Sequence, residues 1–372
     1  MNRITALCGM FLLFALVSCE HSAVGPGPVP TDPLLIHGFS YTSFARDGFT
    51  RGSGTGAVAD LHQQTANDWI ALCVFEYQRN ATSHDIAPNE TGVNPIDGTP
   101  WPTTSTPADL DVAVTDARRT GLKIMLKPHV DLYSGVWRAS IIPDSAWFAA
   151  YRAMMLKYAQ FAADRSIEML CLGVEYVVAT QPQYTASWRA LIRSIDSVYH
   201  GTLIYAANWS GDYADGIASP EYLQVGFWDQ LTYVGIDAYY PVTLSADEPV
   251  PSLLTAMSRL DLPVQEVGGF VTSVGKPLLI TEIGVQSARG ALAQPWDYGL
   301  GNAPGAVEDD AAQDLYYRAI LETFGRQSWC EGIFWWNWES VATQSERTNY
   351  TPRNKPAAAT LRQRYGQLTV LN

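Results

Sequence analysis

Glu168-Met-Leu-Cys-Leu-Gly-Val-Glu175 and Lys276-Pro-Leu-Leu-Ile-Thr-Glu282 are two short runs, rich in apolar residues, that each stop at a glutamate. A continuous apolar run of four to eight residues suits a strand covered on both faces, as strands of a parallel sheet are. In a closed parallel β/α barrel the C-terminal ends of all strands converge on one face. Two runs of this kind therefore deliver two carboxyl groups to one place.

Working outward, eight strand candidates can be counted: Leu35 to Tyr41, Trp69 to Phe75, Lys123 to Lys127, Met169 to Val174, Thr202 to Ala206, Leu231 to Ile236, Pro277 to Thr281 and Gly332 to Trp336. Helical segments separate most of them. Thr106-Pro-Ala-Asp109 offers a capping hydroxyl, a proline in the first turn and an early acid, and Gly121 supplies the stop. Asp144 to Arg165 and Asp309 to Gln327 read as long amphipathic helices. This alternation predicts an α/β chain folded as one (β/α)8 barrel over residues 35–372 rather than an open doubly wound sheet. The long connections, Glu76 to Ser105, His129 to Pro143, Tyr239 to Pro251 and Gly284 to Glu308, all follow strands, where a barrel builds its cleft.

A net charge of −13 lacks the basic footprint of a nucleic-acid binder. It suits a neutral or extended polymer. The 12 Trp and 19 Tyr supply flat apolar faces of the kind that pack on sugar rings, although core packing also consumes such residues. Cys73, Cys171 and Cys330 lie in or beside strand-like runs and are expected to be buried free thiols. No Cys and His spacing resembles a zinc site, and no cofactor is implied.

Residues 1–18 read as a lipoprotein signal peptide, with Arg3, an apolar stretch from Ala6 to Val17, and Leu16-Val17-Ser18-Cys19 as the lipidation motif at Cys19. Glu20 after the lipidated cysteine points to the outer membrane or cell surface in a Gram-negative host. Residues 19–34, with Gly25-Pro-Gly-Pro28, read as a flexible tether. A monomer anchored by lipid to the bacterial envelope is expected.

Paired carboxyls are the equipment of glycoside hydrolysis. The retaining form needs them about 5 to 5.5 Å apart, one as nucleophile and the other as an acid that later serves as base. Strands four and seven lie across a barrel mouth from each other. At these residues the chain resembles the clan A glycoside hydrolases and most closely family 113, whose characterised members are largely β-mannanases. The resemblance is carried by Leu172-Gly-Val-Glu-Tyr176, Thr281-Glu-Ile-Gly284, Val234-Gly-Ile-Asp-Ala-Tyr-Tyr-Pro241, Gly332-Ile-Phe-Trp-Trp-Asn-Trp338 and Tyr350-Thr-Pro-Arg-Asn-Lys-Pro356, in that family's order along the chain.

The resemblance implies Glu175 as acid/base and Glu282 as nucleophile. Tyr239 or Tyr240 would hold the nucleophile carboxylate, and Trp336 would floor the subsite of the cleaved sugar. Trp338 competes for that place because strand alternation sends it to the same side. Lys127 and His129 at the end of strand three, and Asn208 and Trp209 at the end of strand five, are placed for hydroxyl contacts; Trp101 and Trp137 are candidate outer platforms. One position departs from the pattern. Many clan A enzymes carry Asn, and family 113 commonly Thr, immediately before the acid/base, where this chain has Val174. The expected activity is that of a metal-free endo-β-1,4-mannanase or related β-glycan hydrolase acting on β-linked oligo- or polysaccharide. A β-glucan or xylan hydrolase, an exo-acting β-glycosidase and a catalytically decayed glycan-binding lipoprotein are the alternatives.

Overall fold

The computed structural model describes residues 34–210 and 219–366. The signal peptide and all of the tether except Leu34 lie outside the described residues. Leu34 itself is buried in the core, so the barrel begins at the last residue assigned to the tether.

The strands are β1 (Ile36–Thr42), β2 (Trp69–Gln78), β3 (Lys123–Leu132), β4 (Met169–Val174), β5 (Thr202–Asn208), β6 (Val234–Asp237), β7 (Leu278–Ile283) and β8 (Cys330–Glu339). Each pairs in parallel with the next, and β8 closes on β1. The expected (β/α)8 barrel is therefore the observed one. Strand six starts later than its apolar run, because Trp228–Gln230 forms a single tight turn that ends at Leu231.

The helices follow local rules. Thr106 accepts the Asp109 amide at the start of helix Pro107–Thr120, and Gly121 ends it with φ 82°, a conformation that costs glycine little. Asp144 caps Ser145–Asp164, and Asp309 caps Asp310–Glu322 in the same way. Among the described residues no helix is long and apolar enough to cross a membrane.

Strand alternation sorts the core into shells. Outward residues such as Ile70, Leu72 and Val74 of β2 pack against the helices. Inward residues fill the barrel in two tiers. A lower tier includes Ala71, Met125, Cys171, Val174, Ile204 and Phe334, and an upper one Cys73, Phe75, Tyr77, Tyr239, Trp336 and Tyr350. The upper tier is the floor of the cleft. Cys73, Cys171 and Cys330 are buried, and none of them forms a disulfide.

Candidate active site

Three strands gain a residue near their C-terminal ends. Between Cys171 and Val174 strand β4 spends three residues against two of β5, and between Ile280 and Glu282 strand β7 spends two against one of β6. Such bulges turn the following side chains onto the other face. Val174 is thereby sent into the barrel interior beside Ala206, and Glu282 into the cleft. Glu175 follows with φ 54°, a left-handed backbone that non-glycine residues seldom adopt. Gly284 lets β7 pass close to β8: a Cβ there would lie 2.3 Å from the Trp336 carbonyl oxygen.

Glu282 is held from below and from the side. The Lys127 ammonium lies 2.5 Å from its Oε1, and the Tyr239 hydroxyl donates to Oε2 at 2.8 Å. Lys127 also reaches Asp237 Oδ1 at 3.4 Å and the Thr281 carbonyl oxygen at 3.2 Å. Burial by itself would lower the pKa of this lysine, but Asp237 and Glu282 outweigh it and raise it. The same buried cluster pushes Asp237 well above the usual carboxylate range, first by burial and then by the charge of Glu282. A buried ammonium 2.5 Å from one oxygen and a phenol on the other bind the Glu282 carboxyl from two sides.

Glu175 sits in the opposite kind of place. The Asn208 amide donates to Oε1 at 2.8 Å, the Trp137 indole N–H reaches Oε2 at 3.3 Å, and Arg138 Nη1 stands 3.5 Å from Oε2. Arg138 is itself committed to Asp131, with Nε and Nη2 at 2.8 and 2.7 Å from Oδ1. Burial pushes the Glu175 carboxyl up to about 7; Arg138 opposes this, and the charges of Glu282 and Glu221 add to it.

The two glutamates share a cavity of about 1110 Å³. Phe44, Phe75 and Trp336 line it from the β1, β2 and β8 side, Trp137 and Arg138 from the β3 loop, and Trp209, Trp296 and Tyr298 from the β5 and β7 loops. Two carboxyls in contrasting environments, set among aromatic faces, form a site suited to proton transfer and nucleophilic attack on a sugar.

The model of glycoside hydrolase family 113 matches residues 38–355. The chain belongs to glycoside hydrolase family 113. It is thus a clan A glycoside hydrolase acting on a β-glycan, and hydrolysis in this clan retains anomeric configuration. Solved structures agree on the fold. A family 113 β-1,4-mannanase is 21% identical and superposes with a TM-score of 0.73 over 90% of this chain and 99% of its own. The family 113 β-mannanase of Alicyclobacillus acidocaldarius, in complex with ManMIm, is 24% identical, with a TM-score of 0.71 over 90% and 97%. A β-glucuronidase from Ruminococcus gnavus is more distant, at 12% identity and a TM-score of 0.56, with 89% of this chain matching 50% of that one. No curated protein sequence matches.

In this family 113 enzyme several residues sit elsewhere than their sequence suggests. Tyr239 is the tyrosine that meets Glu282, whereas Tyr240 points into the outer core and stacks on Phe324 at 5.6 Å. Trp338 does not compete with Trp336. Phe39 to Tyr41 of β1 faces Trp335 to Trp338 of β8, so the extra residue sends Trp338 outward, where Trp335 already faces, and leaves Trp336 inward. Trp338 lies under the Arg353 guanidinium instead, at 4.4 Å. Lys127 is fully buried under Glu282 and out of reach of a sugar hydroxyl. His129 is likewise below the cleft surface, packed on Phe75, and burial followed by the charges of Arg138 and Lys127 drives its pKa well below the ordinary value. Trp101 belongs to the floor beside Tyr133, while Trp137, Asn208 and Trp209 do line the cleft.

Sequence reasoning passed over Asp131, Arg138, Glu221, Asp237, Trp296 and Tyr298. Asp237 had a signal: Val234-Gly-Ile-Asp237 is a third apolar run ending in an acid.

Proposed function

We propose that this enzyme is a retaining endo-β-1,4-mannanase in which Glu282 is the nucleophile and Glu175 the acid/base, carried on the bacterial envelope by lipid at Cys19. The observation that carries the assignment is the contrast between the two carboxyls. Glu282 is bound by an ammonium and a phenol, and Glu175 is pushed to about 7 by burial. A nucleophile must be ionised and an acid must hold its proton at working pH.

In the first step Glu282 attacks the anomeric carbon while Glu175 gives its proton to the departing glycosidic oxygen. A glycosyl ester on Glu282 and an ionised Glu175 result. In the second, Glu175 takes a proton from a water that attacks the same carbon, and Glu282 leaves as carboxylate. Two inversions give net retention. Tyr239 and Lys127 steady the carboxylate before attack and as it departs.

Endo action is supported by a cavity whose aromatic lining extends from Phe44 after β1 and Phe75 on β2 to the loops after β5 and β7. The choice of mannan is supported by the solved β-mannanases that share the fold over nearly their whole length. Lipidation is supported by the Leu16-Val-Ser-Cys19 motif.

The test is a panel of β-mannan, β-glucan and xylan, read by release of reducing ends and by NMR of the first anomer formed. The expected result is mid-chain cleavage of mannan with the β-anomer appearing first. Glu282→Ala should abolish turnover, and azide should restore part of it with an inverted glycosyl azide as product. Faster cleavage of glucan or xylan would move the substrate, and mannan binding without hydrolysis would return the binding-lipoprotein alternative. An α-anomer formed first would overturn the mechanism.

A further inference from the structure

Glu221 lies in the connection from β5 to β6, at the start of the short turn Glu221–Leu223, and is fully buried. A carboxyl there is costly unless donors surround it. Three do. The Tyr205 hydroxyl donates to Oε1 at 2.6 Å, the Thr180 hydroxyl to Oε1 at 2.9 Å, and the Asn208 backbone N–H to Oε2 at 2.7 Å. Tyr205 in turn accepts the backbone N–H of Tyr176, the residue after Glu175, at 3.0 Å. One buried carboxyl thus ties the end of β4 to the end of β5 on either side of Glu175.

The Asn208 contact gives this knot a direction. Its backbone is fixed by Glu221, its side-chain oxygen accepts the Ser210 amide at 2.8 Å, and its side-chain nitrogen is thereby turned toward Glu175 Oε1. The Glu175 backbone is left-handed, so the direction of its side chain relies on such outside partners. We propose that Glu221 is a positioning residue for proton transfer: through Asn208 and Tyr205 it holds the Glu175 carboxyl where the leaving oxygen needs it. The inference rests on the acid/base role proposed for Glu175.

A purely structural Glu221 and a positioning Glu221 differ in one readout, the dependence on the leaving group. A dinitrophenyl glycoside needs no proton for its first step, so kcat/KM for it does not sense a misplaced acid, whereas an unactivated β-glycan does. Glu221→Gln keeps the volume but removes the charge and one acceptor. Asn208→Ala removes the amide that reaches Glu175. Each single variant is expected to lose about 10- to 100-fold in kcat/KM on the glycan, the scale of a small misplacement of a catalytic group. On the dinitrophenyl substrate each should lose less than about threefold, the residue of general-acid involvement. The double variant should lose little more than the worse single, because the two act in one chain.

Equal losses on both substrates, wild-type rates on both, or full additivity in the double variant would overturn the proposal. Glu175→Ala is the control that separates the two readings. If it fails to show the split, the acid/base assignment falls; if it shows the split and Glu221→Gln does not, only the positioning role falls. Should Glu221→Gln not fold, Thr180→Val strips one hydroxyl from the same carboxyl and should give a smaller split of the same kind. No split in that folded variant would count equally against the proposal.

Discussion

Replacing Arg138 with Met should move the alkaline limb of activity upward. Arg138 Nη1 lies 3.5 Å from Glu175 Oε2, and Glu175 sits at about 7 because burial raises it while this guanidinium pulls it back. At an effective dielectric near 20, unit charges at that distance interact by about 5 kcal/mol, a ceiling of about 3.5 pKa units. Asp131 shares the cation, with its Oδ1 2.7 Å from Nη2, so the realised effect should be about 1 to 2 units. The sign follows from the acid role. Without the guanidinium Glu175 keeps its proton to higher pH, and the descending limb of kcat/KM should move from about 7 to about 8 or 9. Initial rates on the β-glycan from pH 4 to pH 10 measure it. The variant should hold a larger share of its own maximum at pH 8.5 than the wild type does. Because Arg138→Met leaves Asp131 uncompensated, Asp131→Asn/Arg138→Met is the companion variant and should show the same direction with a smaller shift. A descending limb at or below the wild-type position in both variants would refute the electrostatic reasoning.

Glu175→Gln should stabilise the fold at neutral and alkaline pH. A carboxyl that ionises near 4.5 when unfolded and near 7 when folded makes stability fall as pH rises between those values, with the full deficit of about 3 kcal/mol present above them. Denaturant unfolding at pH 4 and pH 8 checks it: the gap between variant and wild type should open toward pH 8, and a constant gap would contradict the burial of this group. Cys19→Ala should release the protein from the membrane fraction with its hydrolytic activity unchanged. A variant that still pellets with membranes would mean another attachment.

The eight strands and the two glutamates were legible because a doubly covered strand writes itself as an apolar run, and both runs end at an acid. What the sequence concealed arises where the period of two breaks. The extra residues in β4, β7 and β8 reverse the faces of Val174, Glu282 and Trp338, and no alternation rule reveals which strand carries a bulge. Val174, which departs from the family pattern, is turned into the barrel interior, and Asn208 of the next strand supplies the amide beside Glu175. Lys127 stands at a strand end that suits hydroxyl contacts, yet its long side chain turns inward along the barrel to Glu282 and Asp237. Arg138 and Glu221 lie in connections without periodicity, and their importance comes from partners 37 and 13 residues away: Glu175 for Arg138 and Asn208 for Glu221.

Lys127 stands between two acids, 2.5 Å from Glu282 and 3.4 Å from Asp237. In the proposed cycle Glu282 alternates between carboxylate and neutral ester, and a buried ammonium with one counter-ion would be stranded at every turnover. Asp237 prevents this. Burial and then the charge of Glu282 push the Asp237 carboxyl up, so esterifying Glu282 removes the second of these influences and makes Asp237 the stronger acid. When Glu282 is tied up as the neutral ester, Lys127 still has a carboxyl within reach on its Asp237 side.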